Sequence, residues 1–424
     1  MDTRATPAAQ PVMDDGMNDV KGSAVAAGEN LAAQPITIDD GPWNALVALT
    51  GGAASLCYQC GVCTAACPWG LVKEDTFSVR RLVRGAQLGL DVAQEYVWLC
   101  TACGQCEALC PRGVSISEVI RSVRYLDWQD RRTPPGLPTV LWSVHDNNNP
   151  WAQPPSARST WAADLQIPFF DPEQHEILLY VGCTAAYDRR IQSVALSLVT
   201  LLRASGVTFG TLADAEPCCG EPALSLGHRP FFDELIGVAA GLFKKHDAST
   251  VVTISPHCYH TFVSQMPAAG VEMEVLHYSQ YLAQLVGQGR LVVNSLPAKR
   301  VTFHDPCYLA RHHNDEASAR LVLGALPDIE VLEMAHHGRD TICCGGGGGR
   351  MWLETVADER FADIRVAEAV QVEAEYLVTA CPFCLSCLED SVKAQKLQDL
   401  RVLDLAELVS QAFRPDSEVN SDSS

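Results

Sequence analysis

The sequence predicts an α/β protein: a small α-helical domain, then a duplicated α/β domain with mainly parallel sheets. Three observations carry this prediction. Two fourfold cysteine runs lie between residues 57 and 110, and four landmark phrases recur at a near-constant offset after residue 176. Within each repeat, short apolar runs alternate with amphipathic stretches, the pattern of strands crossed over by helices.

The cysteine runs each spell C-x2-C-x2-C-x3-C-P. The first is Cys57, Cys60, Cys63 and Cys67 before Pro68; the second is Cys100, Cys103, Cys106 and Cys110 before Pro111. Three thiolates two residues apart wrap a compact loop around one 4Fe-4S cube, and iron enforces their deprotonation. Zinc sites pair two C-x2-C knuckles and need neither the third spacing nor the proline. Disulfides need export, and no signal peptide is expected at the start of this chain. In two-cluster ferredoxins the fourth cysteine of each run crosses to the other cube. One cubane cluster is therefore assigned to Cys57, Cys60, Cys63 and Cys110, the other to Cys100, Cys103, Cys106 and Cys67. These runs define a ferredoxin-like domain over residues 41–125. Between them Val79, Leu82, Val83 and Leu88 share one helical face and Arg80, Arg81 and Arg84 another, the arginines forming a solvated face or meeting an acidic partner.

Composition narrows the function. The 424 residues allow two or three domains, and the eighteen cysteines suit metal ligation better than a disulfide scaffold. A formal charge of -20, from 31 basic against 51 acidic residues, argues against nucleic acid and anionic membrane as partners. No apolar run reaches a membrane span. Residues 1–38 read as a disordered leader and residues 414–424 as a frayed tail. Residues 126–172, with many prolines, read as a connector wrapped over the next domain, with Trp142, Trp151 and Trp161 as packing anchors.

The duplication is explicit. EILLYVGC at residues 176–183 answers RVTFHDPC at 300–307; PCCGEP at 217–222 answers ICCGGG at 342–347; TISPHCYHTF at 253–262 answers TACPFCLSCL at 379–388; EVLHYSQYL at 274–282 answers RVLDLAELV at 401–409. The halves run over residues 173–292 and 297–413. Strands are expected at 177–181, 251–254, 301–303 and 376–378. The second half carries Cys307, the pair Cys343 and Cys344, and Cys381 with Cys384. The first carries Cys183, Cys218, Cys219 and Cys258, but Ser255 stands where the C-x2-C would begin. Five glycines, 345–349, lack the Lys-Ser/Thr of a phosphate loop. They are read instead as bare backbone beside a cluster, N–H groups turned to its sulfides. His304 and His257 flank cysteines at equivalent points, as proton donors beside a redox site or as structural residues. Cys387 lies outside the set and is read as an inert core thiol.

One cysteine, then CCG, then CxxC resembles the cysteine-rich domain of heterodisulfide reductase subunits and related iron–sulfur oxidoreductases. The phrases HDPCYLARH, CCGGGGGRMW, TACPFCL and SPHCYHTF are similar to the iron–sulfur part of the oxidoreductase linking electron-transferring flavoprotein to quinone. They are similar, too, to subunits of sulfite-reduction complexes and some hydrogenases. The resemblance implies fused ferredoxin-like and CCG-type subunits, with a non-cubane 4Fe-4S cluster on Cys307, Cys343, Cys344, Cys381 and Cys384; the position of His304 beside Cys307 makes it the candidate proton donor. For the first half it leaves two readings: an altered cluster on Cys183, Cys218, Cys219 and Cys258 with an oxygen or solvent ligand, or buried remnants. The function implied is an electron-transfer subunit serving a flavoprotein, hydrogenase or quinone- or cytochrome-linked membrane subunit. Its location would be cytoplasmic, peripheral on the inner face of the membrane through that partner. The alternative is a disulfide reductase acting at the second-half cluster.

Overall fold

A computed structural model describes residues 38–73, 78–90, 94–293 and 299–412. The expected leader, save residue 38, and the whole of the expected tail lie outside the described residues. Two four-stranded sheets form the body of the molecule. The first takes β1 (Ile177–Tyr180), β2 (Phe209–Gly210), β3 (Thr250–Thr253) and β4 (Glu274–His277) in the order β2-β1-β3-β4; the second takes β5 (Lys299–His304), β6 (Ile329–Leu332), β7 (Tyr376–Thr379) and β8 (Arg401–Asp404) in the order β6-β5-β7-β8. Every pairing is parallel. The central strands are apolar on both faces because helices cover both; all four residues of β1 are buried.

The repeats match at their ends as well as their strands. His277 closes β4 and caps helix Tyr278–Gly287; Asp404 closes β8 and caps helix Leu405–Gln411, each in a capping box. The halves then pack reciprocally. Helix Arg189–Ala204 lies on helix Leu405–Gln411, and helix Tyr278–Gly287 on helix Ser318–Gly324. Tyr278 Oη donates to Asp404 Oδ1 at 2.7 Å, and Arg190 reaches Glu407 at 2.6 Å and also Glu389. One apolar core, including Leu198, Leu282, Leu323 and Leu408, runs through both halves.

The N-terminal part is helical. Helix Val79–Gln87 buries Val79, Leu82 and Val83 and leaves its arginines in solvent. Helix Ile116–Gln129 runs across the expected boundary at 125/126 and buries Arg124. That guanidinium donates to Val97, Cys100, Ser225 and Gly348 carbonyls at 2.6 to 3.3 Å, tying this part to both halves. The segment beyond holds a helix, Leu137–Asn147. Trp151 and Trp161 pack against the core, but Trp142 is 65% exposed and anchors nothing, a correction to the sequence reading. It sits on the outward face of that helix, while Leu141 and Val144 on the other face are buried.

Candidate metal centres

In each N-terminal run the residue before the second cysteine, Gln59 or Ala102, takes a left-handed backbone. This turns the chain so that successive thiols face one centre. Cys57, Cys60, Cys63 and Cys110 line a common cavity with Tyr58, Arg80 and Arg112. Cys67 is surrounded by the thiols of Cys103, Cys100 and Cys63, and Cys106 by those of Cys103, Cys100 and Cys67. The Ala102 N–H points to Cys100 Sγ and the Val114 N–H to Cys110 Sγ, both at 3.4 Å. Cys60 is the exposed member.

In the second half all five cysteines stand at the carboxyl ends of strands. Cys307 opens the helix after β5, Cys343 and Cys344 lie in the loop after β6, and Cys381 and Cys384 open the helix after β7. The sheet order reverses between β5 and β7, and such a switch point leaves a crevice where ligands bind. The five thiols are buried there and in continuous contact, Cys307 with Cys343, Cys343 with Cys344, Cys344 with Cys384, and Cys384 with Cys381. Cys103 of the N-terminal part lies beside Cys343.

Two histidines enter this crevice. His304 shares a 4.8 Å neighbourhood with Cys344 and Cys384. Its Nδ1 accepts from Arg365 Nε at 3.2 Å, which places the imidazole proton on Nε2, an atom with no hydrogen-bond partner. Burial, reinforced by the Arg365 charge, keeps His304 neutral, its pKa well below the usual value. His257 comes from the first half. Its ring stacks on Tyr308 and Phe383, with Glu221 at 3.4 Å. Burial opposes its charge, but Glu221 and Cys381 raise its pKa to about 10. Burial likewise pushes Cys381 up, and hydrogen bonds from Cys384 and His257 outweigh it, holding that thiol at about 5.

Of the five glycines, Gly345 turns its N–H to Cys343 Sγ at 3.3 Å. The next ones serve a different purpose. A Cβ on Gly347 would lie 2.4 Å from the Thr101 carbonyl oxygen, and one on Gly348, at φ +63°, 2.2 Å from that of Cys100. Bare backbone here lets the second cysteine run lie directly on the second half. Beside it a cleft of about 210 Å³ opens, lined by Cys344, Arg350, Arg360, Phe361 and Cys387 among others.

In the first half, Cys183 follows β1, Cys218 and Cys219 follow β2, and Cys258 lies in the helix after β3, all four buried. Ser255 Oγ accepts from the His257 N–H at 3.3 Å and so caps helix Pro256–Gln265.

Iron–sulfur clusters fit these residues by donor chemistry: thiols gathered in fours and fives, with N–H groups aimed at sulfur. Sequence reasoning missed Arg124, Arg311, Arg365 and the reach of His257 into the second half. Only the position of Arg311, four residues after Cys307, offered a signal.

Comparison with known proteins agrees with this arrangement. The family profile of the cysteine-rich domain, CCG, matches residues 177–263 and again 301–389, and that of the 4Fe-4S dicluster domain matches residues 53–114. The chain is 32% identical over 306 residues to the probable iron-sulfur-binding oxidoreductase FadF of Bacillus subtilis, covering 70% of this chain and 43% of that protein. It is 33% identical over 285 residues to the EtfAB:quinone oxidoreductase of Syntrophomonas wolfei, covering 64% and 40%. A dihydromethanophenazine:CoB–CoM heterodisulfide reductase subunit of Methanosarcina mazei is 30% identical over 285 residues, covering 65% and 67%. The chain thus spans less than half the length of the first two relatives. Among the described residues no helix is long and apolar enough to cross a membrane.

Proposed function

Because the chain belongs to the heterodisulfide-reductase-like family of iron–sulfur oxidoreductase subunits, joining a 4Fe-4S dicluster domain to paired CCG domains, we propose that it is an electron-transfer subunit. Cys57, Cys60, Cys63 and Cys110 would hold one cubane 4Fe-4S cluster, and Cys100, Cys103, Cys106 and Cys67 the other. Cys307, Cys343, Cys344, Cys381 and Cys384 would hold a non-cubane 4Fe-4S cluster. Bound there, the clusters supply one-electron carriers. The protein's own residues keep the carriers dry and adjacent. The observation that carries the reading is the seam where Cys103 lies beside Cys343 and the Cys100–Thr101 backbone lies against Gly347 and Gly348, which brings the N-terminal set directly against the second-half set. Exposed Cys60 sits at the opposite end of that series, where a partner redox subunit would exchange electrons. Such a partner would be a flavoprotein, a hydrogenase or a quinone-linked membrane subunit.

Replacing Cys344 by Ala tests the assignment. The variant should lose about four irons and the second-half paramagnetic signal, with the two cubes still reducible. A retained signal overturns it.

A second reading is reduction of a disulfide at the second half, and the cleft beside Cys344 favours it. That reaction consumes two electrons and two protons and releases two thiols. If it occurs, a small-molecule disulfide such as cystamine will reoxidise the reduced protein, and Gly346→Leu, which fills the cleft, will stop it.

A further inference from the structure

Resting on the electron-transfer reading above, we propose that the face around Cys60 docks an acidic one-electron carrier protein. The middle of this face is apolar and open to solvent. Tyr58 is 59% and Leu109 49% exposed, and Leu56 and Pro111 are exposed beside Cys57 and Cys110. A single exposed leucine is ordinary, but apolar side chains gathered around the one exposed cysteine of eighteen mark a contact surface.

Arginines form its rim. Arg80 Nη1 donates to the Gln59 carbonyl at 3.4 Å, and a Cβ on Gly61 would lie 3.3 Å from the same nitrogen, so this guanidinium lies over the loop that carries Cys60. Arg112 lines the same cavity as Tyr58 and Cys60. Arg84 stands one turn along the helix from Arg80, with Arg81 next to it, and all four arginines are exposed. Among the described residues none of the four pairs with a carboxylate, whereas elsewhere Arg229 pairs with Asp233, Arg290 with Glu176 and Arg300 with Glu373. A chain with 51 acidic against 31 basic residues has carboxylates to spare. Charge compensation of the proposed centre on Cys57, Cys60, Cys63 and Cys110 accounts for Arg80 and Arg112, which line its cavity. It does not account for Arg81 and Arg84, which do not line it.

The complementary partner carries carboxylates around the edge of its own cofactor. Those carboxylates meet the arginine rim, and the apolar middle excludes water where the two redox centres approach. The rest of this acidic chain repels such a carrier, so the arginines also select the face that it meets. Anionic lipid offers the same charge, but a helix that binds a membrane surface lays its apolar side into the lipid. The helix bearing Arg80, Arg81 and Arg84 turns Val79, Leu82 and Val83 into the protein instead. In the docked pair one electron leaves the carrier, which is oxidised, and enters the chain, which is reduced; no bond is made or broken and no proton moves.

The test uses the full-length chain purified without oxygen, with flavodoxin, an acidic flavin carrier, as the probe. Titration calorimetry with oxidised flavodoxin reads binding, and stopped flow with the reduced form reads transfer. The double variant Arg81→Glu, Arg84→Glu should weaken binding and slow transfer about tenfold or more at low salt, and added salt should slow the native chain toward the variant. The double variant Lys244→Glu, Lys245→Glu, the same change of charge in the last turn of helix Arg229–Lys245, should do neither. Equal effects of the two pairs, or native binding and transfer in the arginine pair, overturn the docking surface while the electron-transfer reading stands. A native chain that dithionite reduces and flavodoxin does not has the same meaning. A native chain that neither reduces overturns both. Sedimentation with phosphatidylglycerol vesicles that is lost in the arginine pair, with flavodoxin transfer unchanged, overturns the carrier in favour of lipid.

Discussion

Arg124 directs all five of its N–H groups at main-chain carbonyls, two on Val97 and one each on Cys100, Ser225 and Gly348. No carboxylate pairs with it among these contacts, and burial lowers its pKa to about 10. The nearby Cys100 thiol opposes that shift, as a cluster on Cys100 would more strongly. Removing the guanidinium strands four buried acceptors, each costing about 1 to 3 kcal/mol when unpaired. Arg124→Met should therefore destabilise the protein by roughly 3 to 5 kcal/mol, read from anaerobic denaturant unfolding. Arg124→Lys, with three donors on one nitrogen, should recover only part of this. Nothing in the sequence marks the residue. Apolar periodicity assigns an arginine to solvent, and Arg121, one turn away on the same helix, keeps more exposure. What buries Arg124 is the convergence of three distant chain segments, information that no local window contains.

Among the elements, the strands that the sequence revealed are β1, β3, β5 and β7, the central pair of each sheet. Burial on both faces made their inner residues mainly apolar, although β5 opens on Lys299 and Arg300. The outer strands were hidden as strands: β2 is two residues long, and β6, IEVL, is exposed or half-buried along its length. The repeat phrases did locate β4 and β8, because the capping boxes after them are part of the duplicated text. Those caps titrate at opposite ends of the neutral range. His277 is buried neutral, burial lowering its pKa to about 4, whereas burial raises the Asp404 pKa to about 8. With an unfolded value near 3.9, folded Asp404 binds a proton that the unfolded chain lacks between about pH 4 and 8. Stability from this group is thus full below pH 4 and lost as pH rises through 8, by at most about 1.4 kcal/mol per unit. Asp404→Asn keeps an acceptor for Tyr278 Oη and for the Ala406 N–H. Its unfolding midpoint should accordingly vary less between pH 5 and 8 than that of the native chain, and an unchanged slope would exclude Asp404 as the titrating group.

Across the whole molecule, the cysteine sets were legible from spacing, but their adjacency was not. It depends on Gly347 and Gly348 admitting the Cys100–Thr101 backbone, and on Arg311 closing the same seam from the other side. Arg311 donates from Nε to the Cys103 carbonyl at 2.7 Å and from Nη1 to the Arg339 and Thr341 carbonyls. Its remaining nitrogen, Nη2, is buried without a hydrogen-bond partner. The charge stands beside Cys103, Cys307 and Cys343, the thiols on either side of the junction. A buried cation at that distance favours the more reduced, more negative state of both neighbouring centres. Arg311→Met should shift their midpoint potentials downward by roughly 60 mV, the one-electron equivalent of about 1.4 kcal/mol. Arg311→Lys, which keeps the charge but not the fork of donors, should restore most of the potential while leaving part of any loss in stability. The proposed centre on Cys57, Cys60, Cys63 and Cys110 serves as the internal control, because its cavity is lined by Arg80 and Arg112 and not by Arg311. Redox titration followed by paramagnetic resonance reads all of these at once. A Met variant whose junction potentials equal the native ones would reduce Arg311 to a structural tie between the N-terminal part and the second half.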